Sequence, residues 1–399
     1  MQHYKYLIVG GGMTADAVIS GIRKIDPRGS IGLISAESQP PYKRPPLTKD
    51  LWKGKPVDKI WLKTKQEDVE LHLDREVTSL NVQDKSLQDN EGNEYFYDKL
   101  LLATGGSPRK LPFGGKHINY YRTFEDYKQL SQTTGQGHRY VVIGGGFIGS
   151  EISAALAMNE ESVSIVFPED GIGANIFPSD LSSFLNKYYQ EQRVEVISGE
   201  MVKNIEERNK ILALQTDNGR EILAEHIVAG IGILPNTNLA EAAGIDQSNG
   251  ILVDEYLHTS QADIFAAGDV ANFYNPALGK RMRVEHEDNA YTMGQIAGRN
   301  MARQSLGLEE ERYDHLPFFY SDLFDLGYEA VGELHSSLET FSDWQDPFRK
   351  GVIYYLKEGR VRGVLLWNVW GQVSAARKLI AETGPFKPED LRGRLPEGG

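Results

Sequence analysis

Short runs of apolar residues alternate with helix-like patterns along the chain, and two of these arrangements share one order. Residues 6–9 form an apolar run that leads into the glycines at 10–12, and residues 140–143 lead likewise into the glycines at 144–146. After each glycine turn, apolar residues recur at the three- and four-residue spacing of a buried helix face. The pattern predicts a strand, a tight turn and a helix, duplicated within one chain.

A second apolar run follows each predicted helix, at residues 31–35 and 163–167. Each copy therefore predicts the βαβ unit that binds dinucleotides. Glycines in such a turn let backbone N–H groups at a helix N-terminus approach a pyrophosphate. Such glycines can also serve close helix–strand packing alone, but two copies in the same context favour the nucleotide. Gly10 and Gly12 belong to the first copy, and Gly146 belongs to the second.

The tail from about residue 316 has a different character. Two alternating runs, at residues 351–356 and 361–367, flank a turn-like Lys-Glu-Gly-Arg segment and predict a hairpin. A short helix is predicted near residues 373–380. We therefore expect an α/β protein with two Rossmann-like domains and a C-terminal α+β domain.

The amino-acid composition limits the redox chemistry that the chain can carry out with its own side chains. The chain has 399 residues, 40% hydrophobic and 25% charged, which is typical of a globular protein. It contains no cysteine, which excludes a dithiol redox pair, a cysteine nucleophile and an iron–sulfur cluster. Redox chemistry must then come from a bound cofactor.

Charge and targeting signals add further expectations. The formal net charge of −13 disfavours nucleic acid and anionic lipid as partners. No apolar run approaches the roughly 20 residues of a membrane span, and the first predicted strand leaves no room for a signal peptide. We expect a cytoplasmic protein without a membrane span. The nine histidines show no ligand spacing, so no metal site is expected.

An acidic residue near the end of the second strand of each unit would bind a ribose. The second copy offers Glu169 and the first offers Glu37, although either could be a solvated loop residue. No Arg or Lys stands beside Glu169 to bind a 2′-phosphate, which favours NAD over NADP. Two nucleotides without cysteines suggest FAD in the first unit and NAD(H) in the second.

Several motifs together resemble the FAD-dependent pyridine nucleotide oxidoreductase family. Within it, the Arg-Pro-Pro-Leu-Thr-Lys segment at 44–49 is similar to the apoptosis-inducing factor and oxygenase-coupled ferredoxin reductase branches. The first of these branches is favoured by further motifs, namely residues 167–169, 283–286, 320–323, 327–330 and 364–368. The resemblance covers nearly the whole chain and implies a glutathione-reductase-like fold.

The resemblance also implies roles for individual residues. The residues implied to hold FAD are Gly10, Gly12, Met13, Glu37, Arg44, Lys49, Val77, Thr104, Gly105, Arg109, Asp269, Glu285 and His286. Those implied to bind the nicotinamide nucleotide are Gly146, Phe147, Ile148, Glu169 and Gly232, and Tyr320 is implied to stack on the flavin or the nicotinamide.

Lys49 and Glu151 carry the mechanistic hypothesis. The resemblance places Lys49 against Glu151 near flavin N5, where an ion pair would orient the flavin edge and stabilise negative charge on it. The alternative makes Glu151 a stabiliser of the first helical turns and Lys49 a surface cation. Phe147 could cover the nicotinamide site as a gate or be a buried core aromatic.

The implied domains are an FAD-binding domain at 1–124 and 249–315, an NAD-binding domain at 125–248 and a C-terminal α+β domain at 316–399. The implied activity is that of an FAD-dependent NAD(P)H oxidoreductase that prefers NADH. Hydride passes to FAD, and electrons pass to an external acceptor such as a quinone or a ferredoxin, without a cysteine relay.

Two alternatives remain open. One is a ferredoxin or rubredoxin reductase of an oxygenase system, for which the lysines at 43–59 could supply a docking face. The other is a redox-sensing interaction protein with slow turnover, in which NADH shifts an equilibrium such as formation of a homodimer.

Overall fold

A computed structural model describes residues 2–395 of the chain, so residue 1 and residues 396–399, at the ends of the first and last predicted domains, lie outside the described residues. The strands are β1 (Gln2–Val9), β2 (Ile31–Ser35), β3 (Glu70–Leu73), β4 (Val77–Asn81), β5 (Ser86–Asp89), β6 (Glu94–Leu102), β7 (Gly106–Pro108), β8 (Ile118–Tyr120), β9 (Arg139–Ile143), β10 (Ser162–Phe167), β11 (Val194–Ser198), β12 (Val202–Arg208), β13 (Ile211–Thr216), β14 (Glu221–Ala224), β15 (His226–Ala229), β16 (Ile233–Pro235), β17 (Ile251–Leu252), β18 (Ile264–Ala266), β19 (Ala271–Asn275), β20 (Lys280–Arg283), β21 (Phe318–Leu323), β22 (Leu326–Gly332), β23 (Glu339–Asp346), β24 (Lys350–Lys357) and β25 (Arg360–Trp367). The α-helices are α1 (Met13–Ile25), α2 (Phe124–Ser131), α3 (Phe147–Met158), α4 (Ser179–Glu191), α5 (Asn238–Ala242), α6 (Glu287–Ser305), α7 (Val373–Ala381) and α8 (Pro388–Leu391).

The chain divides into two compact units. Among the described residues, the first contains 2–44, Val57–Ser107 and Leu234–Pro317, and the second contains Pro45–Pro56, Pro108–Ile233 and 318–395. The three-domain boundaries expected from the sequence stay a prediction.

The first unit is built on a sheet in the order β3-β2-β1-β6-β5-β4, with β18 also paired to β6. Strand β1 pairs in parallel with β2 and β6, and its residues 6–9 are buried. Burial on both faces of a parallel sheet explains the continuous apolar run from which this strand was predicted. Strands β17, β19 and β20 form a smaller sheet in the same unit.

Helices α1 and α6 cross closely on one face of the first unit, and glycines make this possible. A Cβ added to Gly298 would lie 2.1 Å from the Val18 carbonyl oxygen, and one added to Gly21 would lie 2.4 Å from the Gln295 carbonyl oxygen. No side chain fits at such distances. Buried residues of α1 share one core with the strands of the sheet, and α1 begins four residues after β1 ends.

The second unit contains a parallel sheet in the order β11-β10-β9-β15-β8 and an antiparallel sheet in the order β21-β22-β25-β24-β23. The predicted hairpin at 351–367 is β24 and β25, and the predicted short helix is α7. Strands β12 to β14 form a third sheet. Within residues 2–395, none of the helices combines the length and apolar character that a membrane crossing requires.

Candidate functional site

The first glycine turn lies between β1 and α1 and leaves space in front of the helix N-terminus. A Cβ on Gly10, whose φ is +119°, would lie 2.1 Å from the Ala103 carbonyl oxygen, so only glycine fits this turn against β6. A Cβ on Gly12 would meet no atom within 4 Å. Gly12 is the N-cap and has no side chain to occupy the N–H groups of the helical turn that starts at Met13. An open helix N-terminus with close backbone access suits a pyrophosphate.

The second glycine turn repeats this arrangement between β9 and α3. A Cβ on Gly144 would lie 2.5 Å from the Gly230 carbonyl oxygen, and one on Gly149 would lie 1.8 Å from the Gly144 carbonyl oxygen. A Cβ on Gly146, the N-cap, would meet nothing within 4 Å. The turn is thus built for close backbone packing on one side and open at the helix N-terminus on the other.

Lys49 and Glu151 meet in the second unit. The Lys49 Nζ atom lies 2.6 Å from Glu151 Oε1, and the side chains are only 9% and 5% exposed, respectively. The hydroxyls of Thr48 and Ser321 also donate to Glu151, each at 2.5 Å, the first to Oε2 and the second to Oε1. Glu151 therefore accepts three hydrogen bonds, and the side chain of Lys49 is not an exposed surface cation.

Three consecutive residues of β21 contact this region of the second unit. The Phe319 ring packs edge-on against Phe147, with centroids 5.1 Å apart. The Tyr320 ring centroid lies 5.3 Å from Lys49 Nζ, within range of a cation–π attraction. Ser321, the third residue, donates its hydroxyl to Glu151. Phe147 is 37% exposed, so its ring is not a buried core aromatic. It is the first residue of α3, at the open N-terminus of that helix.

The segment after β2 holds Glu37 and Arg44 together in the first unit. Arg44 forms an ion pair with Glu37, and the Tyr42 hydroxyl donates to Glu37 Oε2 at 2.6 Å. Burial alone would lower the pKa of Arg44, but the neighbouring Tyr42, Glu37 and Asp269 outweigh it and raise the pKa. Both Glu37 oxygens are thus engaged within the protein, and a contact of Glu37 with a ribose stays a prediction.

A second cluster in the first unit surrounds the start of α6. His286 is the N-cap of α6, and burial lowers its pKa to about 4. Arg283 forms an ion pair with Glu285 at 2.7 Å and donates to the Asp269 carbonyl oxygen at 3.0 Å. Gly268, with φ +80°, brings Asp269 beside α1, since its added Cβ would lie 2.2 Å from Thr14 Oγ1. Because β18 runs parallel to β6, and β6 runs parallel to β1, Asp269 after β18 shares one end of the first sheet with Gly10 and Gly12.

Thr104 and Gly105 follow β6 in the first unit. The Thr104 hydroxyl donates to the Asn236 carbonyl oxygen at 2.7 Å, and the Asn236 amide donates back to the Thr104 carbonyl oxygen at 2.8 Å. Gly105 has φ +63°, a backbone conformation that glycine adopts without strain. Val77 begins β4 and packs against the core of this unit.

In the second unit, the predicted nucleotide residues follow the strand ends. Glu169 lies just beyond β10, half-buried, and accepts a hydrogen bond from the Asn175 amide at 3.4 Å. The Arg109 N–H donates to the Gly232 carbonyl oxygen at 2.9 Å, and the Arg109 side chain is exposed. Ile148 occupies the first turn of α3, where its Cβ would lie 3.1 Å from a Cβ on Gly230.

The sequence reasoning missed three residues of this region. Thr48 and Ser321 lie in the segments 44–49 and 320–323 that carry the family resemblance, but no role was predicted for them or for Phe319, and only the contacts of the folded chain reveal their partners. Among residues 2–395 the structure has no group of three or more His, Asp or Glu side chains that could hold a metal ion.

The two glycine turns, each open at a helix N-terminus, have the geometry of a protein that binds two dinucleotides. Comparison with known proteins agrees: the family described as "Pyridine nucleotide-disulphide oxidoreductase" matches residues 4–294. The chain belongs to this family and is an FAD-dependent oxidoreductase that uses NAD(P)H. A second family, "Apoptosis-inducing factor, mitochondrion-associated, C-term", matches residues 342–382. Since the chain has no cysteine, it lacks the disulphide in the family's name.

Individual relatives span nearly the whole chain. Apoptosis-inducing factor 1, mitochondrial, of Dictyostelium discoideum is 36% identical over 95% of this chain and 79% of its own length. Monodehydroascorbate reductase 3 of Arabidopsis thaliana is 31% identical over 97% of this chain and 94% of its own length. The reductase in the covalent putidaredoxin reductase–putidaredoxin complex has a TM-score of 0.89 and 27% identity, covering 98% of this chain and 96% of its own. The predicted fold class and the two predicted branches are thereby confirmed.

Proposed function

We propose that this chain is an NADH-preferring oxidoreductase that passes electrons from FAD directly to an external acceptor. The observation that carries the proposal is the buried ion pair at 2.6 Å between Lys49 and Glu151, with Glu151 on the helix that starts at the second glycine turn. When bound, FAD would accept two electrons from the nicotinamide and release them to an acceptor.

The two turns bind different nucleotides in this proposal. Gly10, Gly12 and Met13 hold the FAD pyrophosphate, because the first turn is followed by the cluster at Arg44, Asp269 and His286 in the same unit. The second turn, with Gly146 and Phe147, binds the nicotinamide nucleotide. Phe147 covers the position of that nucleotide until it binds.

The preference for NADH rests on the residues after β10. The Glu169 carboxylate would accept hydrogen bonds from the adenosine ribose and repel a 2′-phosphate. Residues 167–175 contain no Lys or Arg that could bind that phosphate, and Asn175 lies against Glu169.

Lys49 supplies positive charge where electrons arrive. Its ammonium group is held by Glu151 and faces the Tyr320 ring, so it keeps a fixed position in a site from which water is largely excluded. A positive charge that is already in place stabilises developing negative charge without reorganisation.

The acceptor is external, because the chain contains no cysteine that could take electrons within the protein. The names of the relatives include a ferredoxin reductase subunit from Sphingobium sp., 32% identical over 90% of this chain. A ferredoxin is therefore the second candidate acceptor class beside small quinone-like acceptors.

An anaerobic titration with NADH and with NADPH, followed by mixing with a quinone, a ferredoxin or oxygen, tests this proposal. We expect FAD to be bleached by NADH at least tenfold faster than by NADPH at equal concentration, and colour to return within a catalytic turnover on adding a suitable acceptor. Bleaching at equal rates would remove the NADH preference. A bleached complex that persists with every acceptor, with an NADH-dependent change in sedimentation, would favour the redox-sensing alternative.

A further inference from the structure

The Glu151 carboxylate is held by more donors than the ion pair requires. Lys49 Nζ and the Ser321 hydroxyl share Oε1 at 2.6 Å and 2.5 Å, and the Thr48 hydroxyl binds Oε2 at 2.5 Å. All four side chains are buried, with Ser321 fully enclosed and Thr48 only 6% exposed. We call these four residues the Glu151 cluster.

A buried ion pair without further hydrogen bonds lowers the free energy of unfolding rather than raising it. Removing two charges from water costs more than their attraction returns unless further hydrogen bonds satisfy the remaining lone pairs. Hydroxyl donors to a carboxylate are short and strong, in the range seen here. Thr48 and Ser321 therefore offset the cost of burying the Glu151 carboxylate. They donate two of its three hydrogen bonds, and Lys49 donates the third.

The two hydroxyls come from distant parts of the chain. Thr48 precedes Lys49, so one segment supplies a donor to each oxygen of the carboxylate. Ser321 lies on β21, directly after Tyr320 and 170 residues from Glu151. Donors from two separate segments of the second unit thus hold the carboxylate, and with it the position of the Lys49 ammonium group.

We propose that Thr48 and Ser321 are positioning residues for electron transfer to FAD, acting by holding the Glu151 carboxylate so that the Lys49 ammonium group bound to it keeps one position. This inference deepens the proposed function and rests on it. When the Ser321 hydroxyl is absent, Lys49 is the only donor to Oε1 and β21 no longer holds the carboxylate. When Thr48 is absent, Oε2 loses its donor and the carboxylate can rotate.

The test uses the full-length protein with FAD bound, in the variants Ser321→Ala, Thr48→Val and Thr48→Ser. Valine keeps the shape of threonine without the hydroxyl, and serine keeps the hydroxyl without the methyl group. The matched control is Ser153→Ala: Ser153 is a fully buried serine on α3, two residues after Glu151, and its hydroxyl has no hydrogen-bond partner within residues 2–395.

Three quantities are measured for each variant: the rate of FAD bleaching by NADH, the midpoint potential of bound FAD, and the rate at which an amine-reactive acylating reagent labels Lys49. We expect Ser321→Ala and Thr48→Val to slow bleaching about tenfold and to make FAD about tenfold harder to reduce, which is about 30 mV for a two-electron couple. The labelling rate of Lys49 should change at least threefold. Thr48→Ser and Ser153→Ala should match the wild type in all three.

The outcomes separate this inference from simpler ones. A loss of thermal stability with an unchanged potential and labelling rate would make the hydroxyls purely structural and overturn the inference. If Ser321→Ala does not retain FAD, the contrast between Thr48→Val and Thr48→Ser decides alone. If the wild type is not bleached by NADH, the proposed function fails. The midpoint potential of FAD and the labelling rate of Lys49 still show whether the Glu151 cluster positions Lys49.

Discussion

Replacing Gly12 by alanine should leave the protein folded and weaken its binding of FAD. A Cβ at this position meets no protein atom within 4 Å, and the backbone at φ −89° and ψ −172° is extended, which alanine adopts readily. Alanine is a poorer N-cap than glycine, but the cost to the free energy of unfolding is at most about 1 kcal/mol. The methyl group would instead occupy the space through which a phosphate approaches the helix N-terminus.

The expected loss of affinity follows from the hydrogen bonds that are blocked. Each backbone N–H bond to a charged phosphate contributes about 1.5–3 kcal/mol, so losing one or two of them costs about 3 kcal/mol. That energy corresponds to roughly a 150-fold rise in Kd, since about 1.4 kcal/mol is tenfold.

The assay titrates apoprotein with FAD and follows the flavin fluorescence, with the Gly146→Ala variant as the matched control. Gly146 is the equivalent N-cap of α3, and a Cβ there is equally free of protein contacts. We expect Gly146→Ala to bind FAD as the wild type does and to lose affinity for NADH instead. An unchanged FAD affinity in Gly12→Ala, or an exchange of the two effects, would refute the assignment of the first turn to FAD.

Three further predictions concern single side chains. Lys49→Ala should slow the bleaching of FAD by NADH at least tenfold in stopped-flow measurements, because a pre-positioned charge is lost, and an unchanged rate would exclude Lys49 from the electron-transfer step. His286 has a pKa of about 4 in the folded protein against about 6.5 in the unfolded chain, so the unfolded chain binds more protons between these values and the free energy of unfolding falls as pH drops. We expect a loss of about 1–2 kcal/mol between pH 7 and pH 5 in denaturant titrations, absent in His286→Gln; an equal loss in both proteins would assign it to other groups. Glu169→Ala should reduce the ratio of kcat/KM for NADH to that for NADPH about tenfold, and a constant ratio would show that Glu169 does not select the nucleotide.

The duplicated opening could be predicted from the sequence because it is local. Parallel strands buried on both faces read as unbroken apolar runs, and the predicted run at 163–167 differs from β10 by one residue. The run at 6–9 marks only the buried half of β1, since residues 2–5 include exposed and polar positions that carry no apolar signal. Glycine turns complete the pattern, since their backbone conformation depends on neighbours within a few residues.

Contacts between distant segments could not be read from the pattern. Thr48 and Ser321 lie 103 and 170 residues from Glu151, and neither belongs to a periodic or glycine-rich motif. The pairing of Glu37 with Arg44 was equally hidden, although only seven residues separate them, because a polar loop gives no period from which a contact could be inferred. Side chains of this kind are placed by tertiary packing rather than by local propensity.

The most direct test of the account is an anaerobic reductive titration of the FAD-loaded protein, counted in electrons per FAD. The family is named for a disulphide, but this chain has no cysteine, so FAD should be its only redox centre. We predict that bleaching is complete after two electrons per FAD, whether they come from NADH or from dithionite. Uptake of four electrons per FAD would reveal a second acceptor within the protein and contradict direct transfer from FAD to an external partner.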